Sequence, residues 1–539
     1  MNSHPSVLRD FTVDRRVWLL SFLALVIGSG AAVLAVALLR AISIATNLFY
    51  YHRFSMEHVR PAGSPLGHWM VLVPVVGGLI VGVMARYGSE QIRGHGIPEA
   101  IEAILLRRAR VAPKVALLKP ISAAISIGSG GPFGAEGPII MTGGAFGSLI
   151  AQWIRLTDAE RTTLLVAGAA AGMSATFSTP VAAILLAVEL LLFEWRPRSL
   201  IPVALASAAA GILRVYLLGP GPLFAMPQIE GTHTIGVGLI AVALGAVVGV
   251  LSAGMSRMMY AFEDAFERLP IHWMWWPAIG GLGVGIGGLF FPRGLGVGYD
   301  NIAELLRGNA SLGLIAGLLI AKSLMWAFSL GSGTSGGVLA PLLMIGGALG
   351  ALAGHFAHAP VEEQALWALI GMGAMLSGSL GVPLTAILFS VEVTHCLPAL
   401  LPLTLACVAA YLVTSLTMPR SILTERLSRR GYHLTREYGV DPLEIILIRD
   451  IMSGSIPELE SGWSSATPKV FAYSDGTSRD AAEQMATSGI SILPIVDRGT
   501  EKICGSVTLQ DLLLGRRNAV GREQERIRLA GGQQTSGSF

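Results

Sequence analysis

Ser126-Ile-Gly-Ser-Gly-Gly-Pro-Phe-Gly-Ala-Glu-Gly-Pro-Ile-Ile-Met-Thr-Gly-Gly-Ala-Phe-Gly147 overlays Ser329-Leu-Gly-Ser-Gly-Thr-Ser-Gly-Gly-Val-Leu-Ala-Pro-Leu-Leu-Met-Ile-Gly-Gly-Ala-Leu-Gly350 without a gap, at a constant shift of 203 residues. The same shift carries Lys119 onto Lys322, Pro180 onto Pro383, Ala183-Ile-Leu185 onto Ala386-Ile-Leu388 and Glu189 onto Glu392. Upstream, Gly94-His-Gly-Ile-Pro98 falls on Gly296-Val-Gly-Tyr-Asp300 at a shift of 202. Self-similarity of this kind means that one structural unit occurs twice. The halves are expected over residues 17–218 and 233–425, and the overlay leaves open whether they run parallel or inverted.

The surroundings of the repeat set its solvent. Of 539 residues, 52% are hydrophobic and 14% charged, with a mean hydropathy of +0.62. A water-facing surface is not built from that mixture, so a soluble protein is excluded and the lipid bilayer is an expected partner. The 66 glycines and 7% aromatics also argue against a simple bundle of leucine-rich spans, because glycine suits close helix packing and interrupted helices. Roughly 20 apolar residues cross a bilayer. Val17 to Leu39 is long enough, whereas the runs between Val115 and Phe193 are cut by Gly-Pro clusters and suit broken helices buried in protein.

A net charge of +3 is too small to suggest nucleic acid. Cys396, Cys407 and Cys504 show neither paired spacing nor a metal pattern, so no disulfide, metal site or required cofactor is expected. No HExxH helix occurs among the spans, and neither catalytic residues nor enzyme activity are expected. Basic residues gather at Arg9, Arg15 and Arg16, at Arg107, Arg108, Arg110 and Lys114, at Arg196 and Arg198, and at Arg420, Arg426, Arg429 and Arg430. The positive-inside tendency then places both termini in the cytosol, with the chain in the plasma (inner) membrane.

Four short segments each lead into a helical pattern after a glycine or proline break: Gly94 to Pro98, Gly134 to Pro138, Gly337 to Pro341 and Pro419 to Leu423. Glycine lets backbone N–H groups approach a ligand, proline suits a first helical turn, and helix N-termini attract anions. Converging helix starts would make an anion site. Only Arg420 among these segments is basic, which suits conduction, since weak multi-site binding holds an anion without trapping it.

These residues resemble the CLC family of voltage-gated chloride channels and chloride/proton exchangers, over residues 15–430. The matching motifs are Gly94-His-Gly-Ile-Pro98, Gly134-Ala-Glu-Gly-Pro138, Gly331-Ser-Gly-Thr-Ser-Gly-Gly-Val-Leu-Ala-Pro341 and Ser421-Ile-Leu-Thr-Glu425. The resemblance implies an all-α polytopic membrane protein with an inverted repeat, about eighteen tilted and broken helices, and a homodimer with one pore in each subunit. It implies anion contacts from His95, Gly96, Ile97, Gly134, Ala135, Gly137, Val338, Leu339 and Leu423. Glu136 stands at the family's gating glutamate, and an ionisable group inside the membrane is a functional candidate in its own right. Its mate in the second half is Leu339.

Several positions depart from the family pattern. His95 replaces a serine that usually contacts the central anion, so fluoride and nitrate stay open beside chloride. Leu423 stands where a tyrosine is common, Leu339 where phenylalanine is common, and Ala135 where a basic residue is frequent. Leu190 occupies the place of the internal proton-relay glutamate of many exchangers. Glu194, four residues on and one helical turn away, is the candidate substitute on a proton route with Glu136; the other reading is a solvated charge at a helix end. Glu189 and Glu392 are expected to share a structural role. Lys119 and Lys322 either bias the field for anions or snorkel to an interface.

The rest of the chain reads as a small α/β cytosolic domain. Residues 1–16 form a cytosolic segment, 17–430 the membrane domain, 431–448 a linker, 449–519 a domain resembling one cystathionine-β-synthase-type (CBS) motif, and 520–539 a disordered tail. Within it the pattern predicts a helix over 477–489, strands over 490–496 and 503–508, and a helix from 509. The CBS resemblance implies that Thr508 and Asp511 contact the ribose of an adenine nucleotide, with a scaffold lacking ligand as the other reading. Missing polar groups at Leu190 and Leu423 favour channel-like conduction of chloride-class anions over chloride/proton exchange. Exchange by a non-standard proton route and a nucleotide-sensing membrane scaffold without transport are the alternatives.

Overall fold

The computed structural model describes residues 15–229, 234–431, 441–454 and 470–518. They fall into two compact units, one within residues 12–435 and one from 436 onward. The expected disordered tail over 520–539 and the N-terminal segment up to residue 14 lie outside the described residues.

The larger unit is built of helices. Its first half runs α1 (Arg16–Tyr51), α2 (Leu72–Val83), α3 (Ile97–Leu106), α4 (Pro113–Gly128), α5 (Glu136–Trp153), α6 (Asp158–Phe177), α7 (Pro180–Leu186) and α8 (Pro197–Leu218). The second runs α9 (Ile235–Glu267), α10 (Trp276–Phe290), α11 (Tyr299–Leu306), α12 (Leu312–Gly317), α13 (Ser323–Gly331), α14 (Leu339–Phe356), α15 (Val361–Leu380), α16 (Pro383–Thr394) and α17 (Leu400–Thr417). Elements α2 to α8 correspond to α10 to α17 near the 203-residue shift, with α12 and α13 together matching α4, whereas α1 and α9 begin 219 residues apart. A final helix, α18 (Ile422–Arg429), has no mate. The repeat therefore closes at α17 rather than running on to residue 425.

Two sets of contacts fix the sense of the repeat. The equivalent residues Gly134 and Gly337 form an antiparallel pair, the Gly134 N–H donating to the Gly337 carbonyl at 3.2 Å and the Gly337 N–H to the Gly134 carbonyl at 2.9 Å. Equivalent residues exchange hydrogen bonds in this way across a local two-fold axis, so the halves are inverted. The Glu189 carboxylate accepts from the N–H groups of Leu384 (3.1 Å) and Thr385 (2.8 Å), while Glu392 accepts from Val181 (3.0 Å) and Ala182 (2.8 Å). Each glutamate satisfies the orphan donors that begin the other half's short helix. That reciprocal cap is the structural role the pair shares.

Glycine explains how the helices approach one another. A Cβ on Gly143 would lie 2.2 Å from the Gly168 carbonyl oxygen, and one on Gly168 2.1 Å from that of Gly143. The repeat reproduces the crossing of α5 and α6 in α14 and α15, where Gly346 and Gly371 oppose each other's carbonyls at 2.4 and 2.2 Å. Among the described residues, seven helical stretches are long and apolar enough to cross a membrane. Shorter ones such as α7 and α16 are not, and the longer helices flank them. Large apolar side chains stand exposed along α1, α8, α9 and α17, including Phe22, Ile212, Leu239 and Leu412, a surface that needs lipid or protein cover.

The second unit is a three-stranded sheet with a small apolar core. Strand β1 (Ala472–Tyr473) pairs parallel with β2 (Ile492–Val496), which pairs antiparallel with β3 (Ile503–Thr508). Helix α19 (Pro442–Ile445) precedes the sheet, α20 (Ser478–Ser488) starts from the Thr477 cap, and a further helix runs over 509–518. The core gathers Ile448, Ala481, Met485, Leu493, Ile495, Val507 and Leu512. Because Ile448 is fully buried there, the expected linker boundary at 448 is corrected: the compact unit takes in residues before 449.

Candidate functional site

The Gly134–Gly337 pair sets the site's geometry, because α5 begins two residues beyond Gly134 and α14 two beyond Gly337. The two helix starts therefore face each other across the local axis. Glu136, fully buried, folds back over this junction. A Cβ on Gly134 would sit 1.6 Å from its Oε2 and one on Gly337 2.9 Å away, so only glycine leaves room for the carboxylate. The backbone N–H groups of Glu136 itself and of Ala340 face it, with the Lys322 charge nearby. Oε1 accepts a hydrogen bond from the Tyr299 hydroxyl at 3.1 Å, and Oε2 has no full hydrogen-bond partner. Val338 and Leu339 are the expected N–H contributors from α14; at Glu136 it is the next residue, Ala340, that faces the carboxylate.

The start of α3 closes a third side. Gly96 has φ +93°, a conformation that favours glycine, and its N–H donates to Glu99 Oε2 at 2.8 Å. A Cβ on Gly96 would lie 2.5 Å from the Gly137 carbonyl oxygen, and one on Gly137 1.7 Å from that of His95. His95, Gly96 and Ile97 are thus held against the first turn of α5. The His95 ring is 1% exposed and both its nitrogens lack partners. Glu99, Lys119 and Arg426 are its charged neighbours. The orphaned nitrogens make the ring available to a ligand.

Helix α18 supplies the fourth start. Leu423 is fully buried, and Ser421 caps the helix by accepting from the Thr424 N–H. Arg426 reaches back to α3, pairing with Glu99 at 3.2 Å and lying over Gly94. A tyrosine does stand close by, but the Tyr260 hydroxyl donates to the Ile422 carbonyl at 2.6 Å, so it is not a substitute for the hydroxyl missing at Leu423.

The paired lysines do not snorkel to an interface. Both are fully buried, Lys119 donating to the carbonyls of Ile92 and Gly94 and Lys322 to those of Gly294 and Gly296, all at 2.8 Å. Each clamps the glycine loop that leads into α3 or α11. Gly333-Thr-Ser-Gly-Gly337 has the spacing of a nucleophile elbow but follows a helix rather than a strand, and Ser335 Oγ meets the hydroxyl of Ser122 at 3.1 Å.

Glu194 fits its reading as a charge at a helix end. The helix ends in a π-helical turn over Ala187–Leu192 and Phe193 adopts φ +52°, so Glu194 shares no helical face with buried Leu190. It accepts from Ser199 Oγ at 2.8 Å and pairs with Arg196 (3.4 Å) and Arg198 (3.9 Å), as a charge beyond a helix end does. Thr508 and Asp511, in the other unit, bond to each other: the Thr508 N–H and hydroxyl donate to Asp511 Oδ2 at 2.8 and 2.7 Å.

A polar recess of about 410 Å³ opens next to α3, lined by Arg93, Glu99, Glu102, Arg107, Arg110 and Arg430 among others. Arg107 binds Glu102 at 2.6 Å and Arg430 binds the same carboxylate, leaving a guanidinium-rich mouth beside the buried Glu99. Next to Tyr299, Arg60 donates to Asp300 at 2.6 Å. Burial pushes the Asp300 carboxyl up and the Arg60 hydrogen bond and charge outweigh it, so it titrates below the ordinary range. Tyr299, Glu99 and Arg426 escape a motif reading, although the overlay of Gly94–Pro98 on Gly296–Asp300 places Tyr299 opposite Ile97 and so marks its position.

Comparison with known proteins agrees with this architecture. Residues 77–415 match the family described as voltage gated chloride channel. A ClcB-like chloride channel protein of Ralstonia nicotianae is 31% identical over 367 residues, covering 67% of this chain and 85% of that one. The H(+)/Cl(-) exchange transporter ClcA of Citrobacter koseri is 30% identical over 429 residues, covering 75% of this chain and 87% of that one. Among solved structures, a slow cyanobacterial Cl-/H+ antiporter superposes with a TM-score of 0.69 at 23% identity, over 78% of this chain and 99% of that one, a likeness of fold. With inverted halves, helix starts opposed around a buried glutamate and a family match across most of the helical unit, the chain belongs to the CLC family and is an integral multi-pass anion-transport protein.

Proposed function

We propose that the protein is a homodimeric, channel-like conductor of chloride-class anions, with one pathway in each protomer and Glu136 as its gate. The observation that carries this reading is the buried Glu136 carboxylate at the head-to-head starts of α5 and α14. A negative side chain stands where backbone donors suit an anion, and an anion can displace it or protonation can release it. Gly96, Ile97, Gly134, Ala135, Gly137, Val338 and Leu339 supply the backbone surface, the His95 ring a polar contact, and the helix start at Leu423 the remaining side. No chemical transformation or required cofactor enters this reading.

Leu190 favours conduction over exchange: it is fully buried, has no proton to relay, and its ionisable neighbour Glu189 is committed to capping α16. Exchange is the second reading, favoured by the relatives named as exchangers. The clustered basic residues support cytosolic termini in a plasma membrane. The second unit is read as a CBS-type domain that pairs across the homodimer, with Thr508 and Asp511 toward an adenine nucleotide.

The test is chloride efflux from proteoliposomes, with external pH recorded, for the wild type and Glu136→Ala. Chloride movement with no proton signal in the wild type is the expected result. Proton uptake driven by chloride efflux, lost in Glu136→Ala, would establish exchange instead. If neither protein moves chloride, fluoride and nitrate are tried next, and absence of all anion flux would leave the scaffold reading.

A further inference from the structure

Glu136 comes from the first half, yet the side chain that hydrogen-bonds it comes from the second. Tyr299 opens α11, and its hydroxyl donates to Glu136 Oε1 at 3.1 Å. Among the described residues it makes the one side-chain hydrogen bond to this carboxylate; the nearby Lys322 ammonium is engaged by the carbonyls of Gly294 and Gly296. That lysine clamp holds the loop from which Gly298, at φ +81°, turns the chain into Tyr299. The ring is braced edge-on by Phe177 (6.3 Å between centroids) and Phe224 (6.0 Å), and Phe177 is braced in turn by Phe389 (5.3 Å). Such edge contacts hold an aromatic ring in one orientation.

The repeat sharpens the point. Under the shifts of 203 and 202 residues, the positions equivalent to Glu136 and Tyr299 hold Leu339 and Ile97. One copy of the symmetric arrangement is therefore apolar, and the other has become a carboxylate together with its hydroxyl donor. Tyr299 is half-buried, a tyrosine hydroxyl withdrawn from water needs a partner, and a hydrogen bond to a carboxylate is stronger than one between neutral groups.

We infer that Tyr299 is a latch: its hydroxyl holds the Glu136 carboxylate in the anion pathway and thereby sets how much chloride is needed to displace it. Tyr299 acts through Glu136 and is a positioning residue, and the inference rests on the reading of Glu136 as the gate.

The full-length protein in liposomes tests this, with efflux measured over a series of chloride concentrations for the wild type, Tyr299→Phe, Glu136→Ala and the double variant. Phenylalanine keeps the ring and its aromatic braces and removes only the donor. Tyr299→Phe is expected to lower the half-saturating chloride concentration roughly tenfold, about the size of one hydrogen bond to a charged group, and to change nothing when added to Glu136→Ala. Flux from the double variant equal to that of Glu136→Ala alone also reports that the Tyr299→Phe chain folds. The latch is overturned if Tyr299→Phe leaves half-saturation unchanged or raises it while Glu136→Ala lowers it, which spares the gate. An equal shift in the Glu136→Ala background overturns it as well, because the hydroxyl would then act on the anion itself. A Glu136→Ala protein with wild-type chloride dependence removes the gate and the latch together.

Discussion

Arg426 shows how much one side chain contributes to the architecture of the site. It leaves α18, crosses to α3 and pairs with Glu99, whose other oxygen receives the Gly96 N–H. The side chains are 15% and 6% exposed, so neither charge has ready access to water. Removing one partner of such a pair strands the other, at a cost of about 3 kcal/mol. Arg426→Met is therefore expected to lower the thermal midpoint of the purified protein clearly, and adding Glu99→Gln to restore much of the loss, since a neutral pair no longer buries a lone charge. Equal melting of Arg426→Met and wild type would show that water reaches the pair. The same ion pair lies beside His95, so the ring's orientation depends on α18 as well as on its own loop.

At the scale of elements, the helix crossings rest on backbone meeting backbone. Gly143 and Gly168 leave no space for a methyl group, since the atom each would strike is a carbonyl oxygen that cannot rotate away. Gly144, next in sequence, would place its Cβ 3.3 Å from Leu165 Cδ2, the far end of a flexible side chain. Gly143→Ala is thus expected to destabilise by about 1–3 kcal/mol, the range of overpacking, and Gly144→Ala by much less, both read from thermal unfolding in detergent. Similar losses for the two would mean that helix propensity, not the crossing, governs them. The repeat predicts the same sensitivity at Gly346, which opposes Gly371 in α15. Reciprocal capping by Glu189 and Glu392 works at this scale too: the short helices α7 and α16 each owe their first-turn partners to the other half.

Across the whole molecule, the site is assembled from parts that are far apart in the sequence. The Gly134–Gly337 exchange, the Tyr299–Glu136 hydrogen bond and the Glu99–Arg426 pair each join distant parts of the chain. In the homodimer proposed above, with one pathway in each subunit, pairing a wild-type with a Glu136→Ala subunit is expected to give a flux equal to the mean of the two parent proteins. A mixed dimer that behaves like either parent alone would show that the gates act together. The second unit has its own core around Ile448, Leu493 and Val507, as a separately packed domain does.

Sequence alone determined the lipid environment, the twofold repetition and the four glycine- or proline-broken helix starts, and it singled out Glu136 as a candidate, because hydropathy, internal similarity and an isolated carboxylate among glycines are local or linear signals. It also marked the paired lysines and the pair Glu189 and Glu392 without saying what they do. The sense of the repeat, the reciprocal caps, the lysine clamps, the Arg426 tie and the Tyr299 hydroxyl belong to the tertiary structure. Each joins residues distant in the sequence, at separations of 25 to more than 300 positions, and which groups meet depends on where the two-fold axis falls and on how closely glycine lets the backbones approach. Glu194 illustrates the converse: helical spacing assigns it to the face of Leu190, and a single left-handed residue at Phe193 takes it away.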